Sequence, residues 1–275
     1  MIPSPRVIRV FPRRTNATPG DDMVRVGTVP GMFDEADEVY VSVTFEWDKP
    51  AAELLAHQWE TVAPVKIGGP AYGDPGGEFT PGMYVKRGYV ITSRGCPNRC
   101  WFCRAWKAEG NTVRELTIYD GYNVLDNNIL ACSLEHQERV FQMLFRQPER
   151  PKFTGGLEAA RFTDWHVEWM AKIKPEPMYF AYDTADDWEP LLKAARMCYE
   201  AGLITPHRSV RAYVLIGYPG DSIEAAQERL ERVCGIGIMP MAMLFDKGRH
   251  VADPLIWNRF QREWASPTIV GSKMR

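Results

Sequence analysis

The chain has 275 residues, of which 45% are hydrophobic, and carries 33 lysines and arginines against 35 aspartates and glutamates. This balance is ordinary for a globular protein and excludes disorder. The net charge of -2 argues against a surface built throughout for nucleic acid. No apolar run reaches the ~20 residues of a membrane span, and the first residues lack the layout of a signal peptide, so we expect a cytoplasmic protein with no membrane partner.

The first 82 residues are predicted to form a small N-terminal α/β region. Residues 39–45 read as a strand, residues 51–59 as a helix with one apolar face, and residues 65–67 as a second short strand. This order predicts a single βαβ unit, which would be a Rossmann-like appendage. Residues 68–82 hold six glycines and three prolines, a composition typical of a loop, so we place the boundary there.

The remaining residues, 83–275, are expected to form one core with a C-terminal extension. Six strand-like segments alternate with amphipathic helices, which predicts an α/β fold with a parallel sheet, either doubly wound or curled into a full or partial barrel. In both arrangements the chemistry gathers at the carboxyl ends of the strands. The predicted strands cover residues 89–92, 122–125, 152–154, 178–182, 211–216 and 239–245.

Four helix starts can be read in this core. Ser133 and Thr163 are predicted to cap two helices, because hydroxyl side chains accept hydrogen bonds from the first free amides. Asp186 precedes a third helix, and Asp221 with Glu224 is predicted to form a capping box ahead of a fourth.

Three of the six cysteines, Cys96, Cys100 and Cys103, fall within eight residues directly after the first predicted strand of the core. Clustered thiols in a reducing compartment indicate a metal or cofactor site rather than a disulfide framework. Three thiolates can ligate three irons of a 4Fe–4S cluster and leave the fourth iron open. The other cysteines, at positions 132, 198 and 234, are scattered and are predicted to pack as small apolar side chains.

Zinc is the competing interpretation of the same three cysteines. A structural zinc ion needs a fourth ligand, and the nearest candidates, Cys132 and His136, come well downstream beyond a predicted strand. A ferredoxin-type electron carrier would need a fourth thiolate close by, and the sequence has none. The spacing therefore favours an open iron–sulfur site.

The segment Thr92-Ser-Arg-Gly-Cys96-Pro-Asn-Arg-Cys100-Trp-Phe-Cys103 resembles the radical SAM superfamily, with its Cys-x3-Cys-x2-Cys motif and an aromatic residue before the last cysteine. The resemblance extends over about residues 83–245. Residues 214–221, Val-Leu-Ile-Gly-Tyr-Pro-Gly-Asp, are similar to the fifth-strand segment of that family, and residues 180–184, Phe-Ala-Tyr-Asp-Thr, to the fourth. A βαβ unit ahead of such a core resembles the B12-binding-type Fe–S oxidoreductase branch with a truncated N-terminal domain.

This resemblance implies a partial (β/α)6 barrel and an enzyme that uses a 4Fe–4S cluster, held by the three clustered cysteines, to cleave S-adenosylmethionine reductively. The resulting 5'-deoxyadenosyl radical would abstract hydrogen from a substrate, which can be a small molecule, RNA or a peptide. A reductant such as flavodoxin or ferredoxin is the implied partner. The residues that the resemblance places around the cofactor are Phe102, Asp126, Asn127, Gly155, Gly156, Asp183, Thr184, Gly217 and Gly220.

Several of these positions also have a plain structural interpretation. Asp126 and Asn127 can form a polar turn, and Gly155 and Gly156 a tight strand-to-helix turn. Asp183 can cap a helix, although Asp186 suits that role better, so we favour a cofactor contact for Asp183. Met239, Met241 and Met243 share one face of the last strand, where we expect core packing rather than contact with adenine.

Two further functions stay open at this stage. Arg6, Arg9, Arg13 and Arg14 form a basic start that can recruit RNA to a methyl- or methylthio-transferring member of the family, although a solvated face is the more usual role of such residues. The other is a non-catalytic iron–sulfur or zinc-binding protein that kept the fold.

Cobalamin is expected to be absent. A complete cobalamin domain needs several βαβ units, and one is predicted here. The Asp-x-His-x-x-Gly pattern that commonly supplies a lower ligand is missing, and His57, the one histidine of the N-terminal region, lies in a predicted helix. We therefore expect this region to cover one edge of the core and to help close the substrate site.

Overall fold

The structure is a computed structural model that describes residues 5–205 and 209–274. Contacts divide the chain into two compact units, Met1–Gly121 and Tyr122–Arg275. The division at residue 82 rests on composition and stays a prediction. None of the helices in the described ranges combines the length and the apolar character that crossing a membrane requires.

The first unit contains a parallel sheet of four strands in the order β2-β1-β3-β4. The predicted βαβ unit is confirmed in it: helix α1 joins β3 to β4, and Val39 lies opposite Val65. Ile8, Val41 and Trp59 are among the buried side chains of this core. The bounds are β1 Val7–Phe11, β2 Val24–Val26, β3 Glu38–Ser42, α1 Lys49–Trp59 and β4 Val65–Gly68.

Strands β1 and β2 were not expected from the sequence. The arginine in the middle of Val7-Ile-Arg-Val-Phe11 makes this stretch look like a solvated basic segment. In the structure Arg9 is 8% exposed, because its guanidinium pairs with Asp21 and donates to the Gly82 carbonyl at 2.8 Å. A paired arginine can be buried within a strand, so the N-terminal sheet is twice as wide as predicted.

The remainder of the first unit is irregular and carries the cysteine motif. The predicted strand 89–92 is interrupted, so that two short strands and a short helix surround the motif. Their bounds are β5 Tyr89–Val90, β6 Ser93–Arg94, α2 Ala105–Glu109 and β7 Arg114–Glu115.

The described part of the second unit has five parallel strands whose spatial order follows their chain order. A helix follows each strand, as the alternation in the sequence predicts, and the α/β class with parallel sheets is confirmed. The strands are β8 Asn123–Val124, β9 Lys152–Leu157, β10 Met178–Tyr182, β11 Val210–Ile216 and β12 Met239–Leu244. The helices are α3 Leu134–Phe145, α4 Asp164–Ile173, α5 Trp188–Glu200, α6 Ile223–Gly235, α7 Pro254–Ala265 and α8 Pro267–Lys273.

The two faces of this sheet differ in burial. Ala212 and Val214 of β11 are fully buried, whereas Tyr213 between them is only partly buried. On β12, Ala242 is fully buried while Met243, on the other face, is 42% exposed. The predicted core role therefore holds for Met239, which is 3% exposed, but not for Met243.

The predicted helix starts are right in two cases and wrong in two. Ser133 accepts from the His136 amide, and Thr163 forms a capping box with His166. Helix α6 begins at Ser222, whose hydroxyl accepts from the Ala225 amide, and not at Asp221. The turn before α5 is capped by Thr184 with Asp187 rather than by Asp186.

Candidate active site

The cysteine loop, residues 95–113, is closed by a two-stranded antiparallel pairing of β6 with β7, in which Arg94 lies opposite Arg114. The loop starts at Gly95, whose φ of +82° places it in the left-handed region, and a Cβ there would lie 2.3 Å from the Thr112 carbonyl oxygen. Only glycine fits so close an approach of two backbones. The Cys96 amide then donates to the Gly110 carbonyl at 3.1 Å, so both ends of the loop are fixed.

The middle of the loop is organised around the carbonyl of Cys100. This oxygen accepts hydrogen bonds from the Cys103 amide at 3.2 Å and from the indole Nε1 of Trp106 at 3.0 Å. Phe102, which the resemblance places at the cofactor, packs edge-to-face against Trp101, with ring centroids 5.4 Å apart. Hydrogen bonds to the backbone and aromatic contacts thus hold the loop, and its three cysteines form no disulfide bonds.

The three cysteines of the loop are partly exposed thiols. Over residues 5–205 and 209–274, no three His, Cys, Asp or Glu side chains are gathered as a metal site, so the three thiols share a loop without sharing a centre. Their chemistry nevertheless fits an iron–sulfur cluster, since soft thiolates on one short segment are the donors that such clusters take.

The base of the loop is tied down by Arg94. Its guanidinium donates to Glu109 at 2.9 Å and to the Gly77 carbonyl at 3.1 Å, and both Arg94 and Glu109 are mostly buried. A Cβ on Gly76, whose φ is +62°, would lie 2.6 Å from the same guanidinium. The glycine-rich segment, residues 68–82, which its composition predicts to be a loop, is therefore packed against the base of the cysteine loop.

Asp126 and Gly155 lie side by side in the second unit, Asp126 just after β8 and Gly155 within β9. Asp126 is 1% exposed, and a Cβ on Gly155 would lie 2.4 Å from its carbonyl oxygen. The two glycines belong to β9 itself, which extends to Leu157, so the expectation that they form a loop after a strand ending at residue 154 is wrong. Gly155 is needed because the neighbouring backbone comes too close for a side chain, whereas Gly156 is favoured by its φ of +95°.

Asp183 and Thr184 directly follow β10. The Asp187 carboxylate accepts from the amides of Asp183 and Thr184, at 3.0 and 2.7 Å, and from the Thr184 hydroxyl at 3.0 Å. Burial, and to a lesser extent the nearby Asp187 carboxylate, raise the pKa of Asp183 to about 7. The Asp183 carboxyl thus titrates near neutrality, while its backbone, not its side chain, takes part in the capping.

The turn after β11 is built around Asp221. The Asp221 carboxylate, 1% exposed, accepts from the Gly217 amide at 2.7 Å and from Arg229 at 2.7 Å. A Cβ on Gly217 would lie 2.5 Å from Leu244, whereas Gly220, with φ +86°, has open space around it. The sequence pattern assigned Asp221 to a capping box instead of this turn and did not single out Asp187, although both lie a few residues after a strand and before a helix.

The basic start of the chain is largely engaged within the first unit. Arg6 pairs with Glu35, and its amide donates to Asp37 at 2.6 Å; Arg9 is buried with Asp21. Arg13 binds the buried carboxylate of Asp48 through Nε at 2.9 Å. These contacts favour the structural interpretation of the arginines over recruitment of RNA.

Proteins similar to this chain are found among curated sequences and among solved structures. The curated relatives include tRNA-2-methylthio-N(6)-dimethylallyladenosine synthase of Nocardia farcinica, 27% identical over 184 residues, and the same-named protein of Mycolicibacterium smegmatis, 26% identical over 180 residues. Each match covers 53% of this chain, which spans only 36% and 35% of the length of those relatives. No protein-family model matches the chain.

A solved structure with a similar fold is that of TsrM, a radical S-adenosylmethionine methyltransferase from Kitasatospora setae, with cobalamin and a 4Fe–4S cluster bound. The TM-score is 0.60 at 12% identity, over 86% of this chain and 74% of that chain. The resemblance to the radical SAM superfamily, read from the cysteine motif, is therefore confirmed.

The exclusion of cobalamin is wrong. The neighbour that shares the fold over 86% of this chain has cobalamin as well as a cluster bound, so the short N-terminal region is no argument against that cofactor. The physical reason is the width of the N-terminal sheet. The exclusion counted two strands where the structure has four.

Proposed function

We propose that this chain is a radical SAM enzyme with a partial (β/α)6 barrel, in which Cys96, Cys100 and Cys103 hold a 4Fe–4S cluster. When bound, such a cluster supplies the electron that splits S-adenosylmethionine into methionine and a 5'-deoxyadenosyl radical, which then takes a hydrogen atom from the substrate. The observation that carries the proposal is the cysteine loop, with three thiols in eight residues and both loop ends fixed by backbone hydrogen bonds.

The chain's own residues would then position the cofactor. The three thiolates would hold the cluster, while the Cys100 carbonyl, bound by the Trp106 indole, keeps the loop in place. Asp183 and Thr184 would contact the ribose and methionine, Gly155 and Gly156 would allow close approach to the backbone of β9, and the turn from Gly217 to Gly220 would frame the cofactor. Asp126 or Asn127 accepts a hydrogen bond from the methionine amino group.

The first test is anaerobic reconstitution with iron and sulfide. We expect about four irons per chain, broad thiolate-to-iron absorption, and 5'-deoxyadenosine as a product once the protein is reduced in the presence of S-adenosylmethionine. One zinc ion per chain without such absorption would instead support the alternative of a non-catalytic zinc-binding protein.

RNA modification is the narrower version of this function, supported by the names of the two curated relatives. The basic start no longer supports it, because three of its four arginines are paired within the first unit. The proposed substrate is therefore either RNA or a smaller molecule.

A corrinoid-dependent methyl transfer is the second candidate, favoured by the N-terminal sheet. In the order β2-β1-β3-β4, the chain adds β2 on one side of β1 and adds β3 and β4 on the other, so a topological switch point lies between β1 and β3. Ligands of open α/β sheets bind at such a point, outside the carboxyl ends of the strands. A crevice lies there, following Phe11 and Ser42. The hydroxyl side chains that line it belong to Thr15, Thr18, Ser42 and Thr44, and hydroxyl groups can donate to the carboxamides at the rim of a corrinoid. The Thr15 and Thr18 hydroxyls also contact each other at 3.1 Å.

Such a corrinoid would have no imidazole ligand from this unit. Helix α1 begins beyond the carboxyl end of β3 and returns to the start of β4, so His57 in its last turn lies at the opposite edge of the sheet from the crevice. The His57 side chain is 83% exposed and contacts Glu60 at 3.1 Å. Any cobalt bound in the crevice is therefore expected to lack a histidine ligand from the first unit.

We expect the apoprotein to retain near-stoichiometric hydroxocobalamin after desalting, measured from the visible spectrum. A Thr44→Trp variant should lose it, because Thr44 is exposed and an indole there fills the crevice without disturbing the sheet. His57→Ala should leave retention and the cob(II)alamin electron paramagnetic resonance spectrum unchanged. Complete loss of cobalamin from the wild-type chain on desalting would contradict this candidate.

A further inference from the structure

Two tyrosines and an arginine cluster on the less buried face of the sheet in the second unit. The rings of Tyr179 in β10 and Tyr213 in β11 lie face to face, with centroids 4.2 Å apart and an interplanar angle of 5°. The Arg211 guanidinium lies 5.6 Å from the Tyr179 ring centroid and donates to the Tyr179 hydroxyl at 3.0 Å. We call these three residues the tyrosine cluster.

The hydroxyl groups of the tyrosine cluster are bound within the sheet. The Tyr213 hydroxyl donates to the Thr154 carbonyl of β9 at 3.1 Å, and the Tyr179 hydroxyl accepts from Arg211. Burial, and to a lesser extent the nearby Tyr179, raise the pKa of Tyr213, so this hydroxyl stays protonated. Tyr213 therefore offers a ligand its ring rather than a hydrogen-bond donor.

The Tyr213 ring has space beside it for a further planar group. Tyr213 is only partly buried, and in the part of the chain that the structure describes its one ring contact is with Tyr179. A Cβ on Gly156 would lie 3.9 Å from Tyr213 Cδ2, so any larger side chain at that position would cover part of the ring. Ala181, which lies opposite Tyr213 in the strand register, is also small.

The tyrosine cluster lies next to a proposed cofactor contact. Side chains alternate along a strand, so Tyr179, Ala181 and Asp183 follow one another on the same face of β10 and its carboxyl end. Tyr213 pairs with Ala181, which places it two residues along the sheet from the level of Asp183. A substrate group on Tyr213 would therefore lie close to the bound cofactor.

We infer that the tyrosine cluster is part of the substrate site and that the substrate presents a planar aromatic ring, which stacks on Tyr213. The inference rests on the proposed function and names its substrate class. Stacked aromatic rings attract each other beyond the effect of the area that they bury. A cationic group fits less well, because Arg211 already places a positive charge at the cluster. A free aromatic heterocycle and a base of RNA both carry such a ring.

The test measures, by nuclear magnetic resonance, how the full chain binds naphthol and its saturated counterpart decahydronaphthol. Both compounds are neutral and similar in size, but only naphthol is aromatic. We expect the wild type to bind naphthol about threefold or more tightly than decahydronaphthol. Tyr213→Leu should lose about three- to tenfold in naphthol affinity, whereas Tyr213→Phe keeps the ring and should stay within about twofold of the wild type. Tyr199→Leu, at an exposed position of α5, is the control and should leave the affinity unchanged.

Nuclear Overhauser contacts between naphthol and the Tyr213 ring protons are expected in the wild type, and this readout holds even if Tyr213→Leu does not fold. Equal affinities for the two compounds, or contacts of naphthol confined to other rings, would overturn the inference. So would displacement of naphthol by S-adenosylmethionine from the reconstituted protein, because Tyr213 would then stack on the adenine of the cofactor.

Displacement of naphthol by tRNA distinguishes a base of RNA, which displaces it, from a free heterocycle as the source of the ring, and either result agrees with the inference. Naphthol binding needs neither cluster nor reductant. Its absence would therefore overturn the inference alone, whereas the proposed function fails only if the reconstituted protein forms no 5'-deoxyadenosine.

Discussion

Replacing Cys100 with alanine is expected to abolish both the iron–sulfur cluster and the cleavage of S-adenosylmethionine. Two remaining thiolates cannot hold a cluster that needs three, so the expected loss is complete rather than graded. The loop fold should survive, because Trp106 and the Cys103 amide bind the backbone carbonyl of residue 100, which alanine keeps. Iron content, visible absorption and 5'-deoxyadenosine measure the effect.

The matched control is Cys198→Ala. Cys198 is fully buried in α5, and burial raises the pKa of its thiol to about 12, so it stays protonated and cannot act as a ligand. We expect an unchanged cluster and unchanged cleavage, with a loss of about 1 kcal/mol in the free energy of unfolding. A Cys198→Ala protein without iron would refute the division between ligand cysteines and core cysteines.

Replacing Asp183 with alanine is expected to weaken S-adenosylmethionine binding about tenfold or more while the cluster still assembles. A charged hydrogen bond to the ribose is worth about 1.5 to 3 kcal/mol, and alanine removes it. The capping of α5 should persist, since the contacts with Asp187 come from the backbone of residue 183 and from Thr184. An unchanged affinity, measured by equilibrium binding, would assign Asp183 to structure.

The same carboxyl should also make stability depend on pH. Its pKa is about 7 in the folded protein against an ordinary 3.8, so the folded state holds a proton that the unfolded state has lost. The contribution of this carboxyl to the free energy of unfolding is therefore highest below about pH 4. It falls as the pH rises from about 4 to about 7, by at most about 1.4 kcal/mol per pH unit.

Asp183→Asn should remove this dependence of stability on pH. Asp186→Asn is the control, because Asp186 is exposed and its replacement should leave the dependence unchanged. Denaturant unfolding of the apoprotein at pH 5, 6, 7 and 8 measures both. Parallel pH profiles for Asp183→Asn and wild type would mean that the Asp183 carboxyl is not buried in solution.

The sequence by itself determined the features that depend on local pattern. The thiol spacing of Cys96, Cys100 and Cys103 indicated the resemblance to the radical SAM superfamily, since three soft ligands in eight residues suit few other centres. The alternation of strands and helices after residue 122 predicted the parallel sheet, because apolar periodicity is set by which face each element buries. Ser133 and Thr163 were correctly read as caps, since a cap binds amides two or three residues away.

Tertiary structure alone decided the features that depend on distant partners. Strand β1 exists because Asp21 and the Gly82 carbonyl satisfy the buried Arg9, and nothing in the five residues of the strand encodes those partners. Gly155 is required by the Asp126 carbonyl on the adjacent strand. The width of the N-terminal sheet, which the exclusion of cobalamin underestimated, likewise follows from pairing between segments far apart in the chain. Local propensity cannot anticipate such contacts, because burial of a polar group depends on a partner that only folding supplies.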